Sequence, residues 1–178
     1  MISRRALTLL IAAGGVTLGA GLLVGRPPAL RDAPEPGNLV FPGLAQQLSR
    51  AATLEFRRSD QTLTLRRQGE TWLLPAKSDY PARAERVRET LTGLTELRLV
   101  EARTADPALY DRLGVEDPTK VGATGVLLRL LDANGAPLAE LILGRRRVRT
   151  QGNLPEAVFI RRPGQDQSWL AEGRVVSD

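Results

Sequence analysis

Lys77-Ser78 and the carboxylates of Asp79, Asp106, Asp111 and Glu116 are the side chains of this chain best suited to chemistry. A serine beside a lysine suggests a nucleophile with an amine base, Lys120 being the only other lysine. Adjacent residues on a strand or loop point apart, so an ordinary polar turn is the simpler reading. Two carboxylates flanking a glycosidic bond would make a cell-wall hydrolase. Yet Asp79 and Asp106 fit helix caps and Asp111 fits a solvated helix face. Two Trp and two Tyr are also few for a sugar platform. The acids lack the Asp-x-Asp-x-Asp-Gly spacing of a calcium loop.

The missing residue types narrow the chemistry further. There is no Cys and no His. That excludes disulfides, thiolate nucleophiles and Ser-His-Asp or Cys-His arrangements, and it removes the commonest transition-metal ligand. No glycine-rich phosphate loop occurs, and no cofactor is expected. The densest charge cluster is "GRRRVRT", with Arg145, Arg146, Arg147 and Arg149 directly after an expected strand. It fits contact with anionic lipid headgroups or an acidic partner, or a charged edge strand guarded against aggregation. The formal charge of +5 falls to +3 from residue 37 onward, once Arg4, Arg5, Arg26, Arg31, Asp32 and Glu35 are set aside. So mild an excess argues against a nucleic-acid partner.

These side chains must be positioned by short elements. "VFPGLAQQLSRAA" reads as a short helix containing Leu44 and Leu48. "TLEFRR", "TLTLRR" and "TWLLP" read as a three-stranded meander, with Leu63 and Leu65 toward the core and Arg58 and Arg66 at strand ends in water. In "GETWLLPAKSDYPARA", Pro75 ends the third strand and Pro81 opens a helix capped by Asp79 or Tyr80. Its apolar positions are Ala84, Val87, Leu91 and Leu94, while Arg83, Glu85, Arg86, Arg88 and Glu89 form its solvated face. "DPALYDRLGV" is a second helix, with Asp106 as N-cap and Gly114 as its stop. Hairpins follow around Asn134-Gly135 and Pro163-Gly164. "TLTLRRQGETWLL" and "AVFIRRPGQDQSWLA" share a pattern, with Trp72 and Trp169 as core anchors at equivalent hairpin positions. Two hairpins solving one packing problem account for this more simply than duplication. The fold class is α+β, with antiparallel meanders and hairpins and two or three short helices packed on the sheet.

The N-terminus sets the expected compartment. Residues 1–5 carry Arg4 and Arg5, and residues 6–25 carry no charge. A helix of that length spans roughly 30 Å, about one hydrocarbon core. The arginines place the N-terminus in the cytoplasm and the remainder in the periplasm. An uncleaved transmembrane anchor is preferred to a signal peptide, because no Ala-x-Ala site follows the long apolar run. Gly15 with Gly19, and Gly21 with Gly25, are small-xxx-small pairs suited to close helix packing. The proline-rich stretch 26–38 reads as an extended spacer, and 39–178 as one periplasmic domain.

"VFPGLAQQL", "WLLPAKSDYPARAERVRETLTGLTELRLVEART", "LYDRLGVEDP" and "VFIRRPGQDQSWL" together resemble the bacterial domain-of-unknown-function family numbered 4340. The resemblance covers nearly everything after residue 38. It implies an envelope protein with one N-terminal membrane segment, some members being auxiliary components of gliding-motility-type ABC transport systems. It brings no catalytic residue set. The expected function is therefore a non-catalytic, membrane-anchored periplasmic domain that binds a protein partner, the membrane part of an ABC transport system. The alternatives are a carboxylate hydrolase and a binder of anionic lipid or glycan.

Overall fold

The computed structural model describes residues 34–147 and 156–177. The apolar stretch 6–25 with Gly15, Gly19, Gly21 and Gly25, most of the proline-rich spacer, and Arg149 lie outside the described residues. Among the described residues no helix is long and apolar enough to cross a membrane.

The strands are β1 (Ala51–Arg57), β2 (Thr62–Gln68), β3 (Thr71–Leu74), β4 (Tyr80–Pro81), β5 (Arg98–Ala102), β6 (Val126–Asp132), β7 (Pro137–Arg147), β8 (Ala157–Arg161) and β9 (Ser168–Glu172). They form one sheet in the order β4-β3-β2-β1-β6-β7-β8-β9-β5, antiparallel throughout. Among the described residues three α-helices accompany it: α1 (Leu44–Gln47), α2 (Ala84–Glu96) and α3 (Tyr110–Leu113). The α+β class, the three-stranded meander and the two later hairpins thus stand as expected. The tight β6–β7 turn is locked by Asp132, whose Oδ1 accepts from the backbone N–H groups of Asn134 at 2.9 Å and Ala136 at 3.0 Å.

Strand alternation sorts the side chains onto two faces. Leu54 and Phe56 of β1, Leu65 of β2, Leu128 and Leu130 of β6, Leu141 of β7 and Ile160 of β8 share one buried face. Val87 and Leu94 of α2, Leu44 of α1 and Val175 near the C-terminus cover it. Each fully buried leucine here stabilises the fold by roughly 1.5–3 kcal/mol. On the other face a smaller cluster joins Tyr110 and Val115 to Ile142, with Leu127 and Phe159 packed beside it. Elsewhere that face is polar: Arg129 of β6 bridges Glu140 at 2.7 Å and Glu55 at 3.9 Å across neighbouring strands.

Both terminal strands of the sheet are short or covered. β4 is two residues long and contains Pro81, which has no N–H to offer. At the other edge residues 37–40 run along β5, with Gly37 N–H bonded to Leu99 O at 2.6 Å, Leu99 N–H to Asn38 O at 2.9 Å and Val40 N–H to Leu97 O at 2.8 Å. The chain therefore joins the fold two residues before Leu39.

Val175, Val176 and Ser177 form a strap whose carbonyls are held by side chains rather than by a ladder. Arg146 Nη2 donates to Val175 O at 2.8 Å, Thr90 Oγ1 to Val176 O at 2.8 Å and Arg58 Nη2 to Ser177 O at 2.9 Å.

Several expectations are corrected. α2 begins at Ala84 behind Arg83, not at Pro81 behind Asp79 or Tyr80. The reason is that Pro81 is still paired with Leu73, and Ala82 N–H still donates to Trp72 O at 2.7 Å. Consequently Leu65 is buried as expected, but Leu63 is 39% exposed. Arg58 is half-buried on the strap instead of free in water. β5 was not expected, because "RLVEA" lacks a clean alternation; its partner β9 is distant in sequence. Trp72 and Trp169 are not equivalent, since Trp72 faces Arg67 whereas Trp169 faces Ile160. Finally, Arg145, Arg146 and Arg147 lie within β7, not after it.

Candidate docking groove

The late start of α2 leaves a length of sheet uncovered. The result is a groove of about 500 Å³ floored by Phe56, Leu63 and Leu65 and walled on one side by Leu74, Tyr80 and Pro81. On the opposite wall stand Arg83, Arg86, Val87 and Thr90 of the helix and its approach, with Lys77 also lining the groove. The stretch "GETWLLPAKSDYPARA" supplies most of this frame. Pro75–Lys77 forms one 3-10 turn, after which Ser78 and Asp79 both take left-handed backbone angles, φ 53° and 56°. Two such residues in succession cost roughly 1–3 kcal/mol each, and the pairing of β4 with β3 holds them there.

The groove is apolar within and cationic at its rim. Tyr80 is 66% exposed at its mouth, beside the uncovered Leu63. Arg86 reaches Glu89 only at 3.9 Å, and both side chains are exposed. A pair of this kind neutralises little in water. Lys77 and Arg83 have no carboxylate partner among the described residues.

Apart from Lys77, the residues suited to chemistry do not line the groove. Asp106 caps its helical turn, Oδ1 accepting from Ala108 N–H at 3.0 Å. Asp111 Oδ1 accepts from Arg112 N–H at 2.8 Å. Glu116 is buried, with Oε1 accepting from Thr124 N–H at 3.3 Å and Oε2 without a hydrogen-bond partner among the described residues. Its neighbour Asp117 is held below the usual carboxylate range by hydrogen bonds from the backbone and hydroxyl of Thr119. Lys77 and Ser78 sit at the exposed turn, Lys77 toward the groove.

The arginine run does not form one patch. Arg146 reaches the strap, while Arg145 lies against Gly114 on the opposite side of the sheet, its Cγ 3.2 Å from where a Cβ on that glycine would stand. Arg147 is exposed. Of the groove residues, alternation alone assigns Leu63 to the core, and helical periodicity assigns Arg83 and Arg86 to a solvated face. The signal that could have found them was the pair of prolines at 75 and 81, which keeps the helix from reaching back over β2.

The region from Trp72 to Ser177 matches the family model described as a domain of unknown function (DUF4340). That region takes in the walls of the groove but leaves β1 and β2, its floor, outside the match, so the match is shorter than the resemblance suggested. Neither the curated proteins nor the solved structures contain a match to this chain. Because the matched residues are more than half of its length, the chain belongs to the DUF4340 family.

Proposed function

We propose that this protein is a non-catalytic docking domain, tethered at the periplasmic face of the bacterial inner membrane by residues 6–25, that binds the membrane component of an ABC-type transport system. The observation that carries the docking role is the uncovered apolar groove with Lys77 and Arg83 at its rim, which have no carboxylate partner among the described residues. The two terminal strands support the same surface, because β4 is only two residues long and β5 is already paired with residues 37–40, which leaves strand addition little to join there. The engagement of Asp106 and Asp111 with backbone N–H groups supports a structural rather than catalytic use of these acids.

In this reading the anchor raises the local concentration of the domain, and the proline-rich spacer sets its reach at roughly 3 Å per residue. Contact then needs only modest affinity. The test is fractionation and crosslinking of the full chain in native membranes. It should resist alkaline carbonate extraction and copurify with membrane-embedded transport subunits. Release by carbonate would sink the tether, and a lone, uncomplexed chain would sink the auxiliary role.

A further inference from the structure

We propose that the occupant of the groove is an amphipathic segment of a protein partner, apolar on one side and acidic on the other. This rests on the docking reading above and adds the chemistry of what docks. The floor offers Leu63, backed by the largely buried Phe56 and Leu65, to apolar anchors spaced along one face, as in helix-in-groove recognition. The rim offers Lys77, Arg83 and Arg86, so a complementary partner carries carboxylates beside those anchors.

Other occupants fit less well. An acyl chain needs enclosure over most of its surface, and this groove is open to solvent on one side. The chain's own residues 148–155, "VRTQGNLP", bring Arg149 and no acid, and would add to the positive rim. A second copy brings the same cationic rim and a net positive domain.

The probe is a pair of synthetic helical peptides with one shared leucine stripe, carrying glutamates or lysines at the remaining positions. Both are titrated against the full chain in phosphatidylcholine nanodiscs, alongside vesicles containing phosphatidylglycerol. The glutamate peptide should bind at least about tenfold more tightly than the lysine peptide. Combining Lys77→Glu with Arg83→Glu should abolish that preference. Leu63→Glu should weaken binding of the glutamate peptide about tenfold, and the milder Leu63→Ala should act in the same direction. Arg66→Glu, on the opposite face of β2, should change nothing.

Equal binding of the two peptides would overturn the proposal, as would indifference to both Leu63 variants. So would vesicle binding or self-association that Leu63→Glu removes, since each names a different occupant. These failures leave copurification with transport subunits untouched, whereas loss of copurification with the peptide preference intact strikes the docking reading instead.

Discussion

Gly93 of α2 lies directly against the carbonyl of Arg174: a Cβ at position 93 would stand 2.0 Å from that oxygen and 3.3 Å from Val175 Cα. Helix and strap therefore meet backbone to backbone, which only glycine allows. Gly93→Ala should destabilise the domain by about 1–3 kcal/mol, the usual cost of overpacking. Gly135→Ala, at a turn with φ +80° and nothing within 4 Å, should cost only the left-handed penalty of about 1–2 kcal/mol and displace no neighbour. Denaturant unfolding followed by tryptophan fluorescence measures stability, and exchange of the Val175 and Val176 amides reads the strap. A strap equally protected in both variants would refute the contact.

The arginine run should separate by strand position. Arg146→Ala removes the donor to Val175 O and should lower stability by about 1 kcal/mol. Arg147→Ala, at an exposed site, should stay within about 0.5 kcal/mol of the parent. Thermal unfolding of the two variants decides this, and equal effects would mean that Arg146 does not hold the strap.

Asp132 links the β6–β7 turn to pH. The backbone hydrogen bond from Ala136, then that from Asn134 and the 3.0 Å contact with Arg50, hold its carboxyl below the usual range. A depressed folded pKa contributes stability above the unfolded value of about 4, which is lost as pH falls through the folded pKa. Asp132→Asn should lower stability at neutral pH and flatten the acid limb of the stability curve. An unchanged acid limb would contradict the assignment.

Arg161 is a buried cation that makes no salt bridge among the described residues, although its charge helps to lower the pKa of Asp117. Its guanidinium stacks 4.5 Å above the centroid of Tyr110, and it donates to Val115 O at 2.9 Å and Gln165 O at 3.0 Å. Lysine cannot reproduce that fork and stack, so Arg161→Lys should cost about 2 kcal/mol or more. Burial raises the pKa of Tyr110, against the lowering pull of Arg161. Its contribution is full below the unfolded value of about 10 and is lost as pH rises through the folded pKa. In a phenolate absorbance titration, Tyr110→Phe should remove a component ionising above the ordinary tyrosine value. Loss of an earlier component instead would count against this burial.

Leu63 and Leu65 share a strand and a face but not a fate. Leu65→Ala should cost about 2–5 kcal/mol, as expected in a packed core. Leu63→Ala should cost less than about 1 kcal/mol, since its side chain faces the groove. Comparable losses in unfolding experiments would mean that the groove is closed in solution.

Local signals were legible wherever neighbours in sequence are also neighbours in space. Asn134-Gly135 made a hairpin, Asp106 capped its turn and Gly114 ended α3 with φ +69°, because turn and cap chemistry acts within a few residues. The α+β class, the meander and most of the core followed from alternation and turn spacing. Contacts between remote segments decided the rest. β5 became a strand through β9 on one side and residues 37–40 on the other, and neither partner lies close to it in sequence. Pro81 stayed with β3 instead of opening α2, and that pairing uncovered Leu63 and created the groove. A residue's type restricts its own backbone, but whether a side chain is buried depends on what the distant chain places over it.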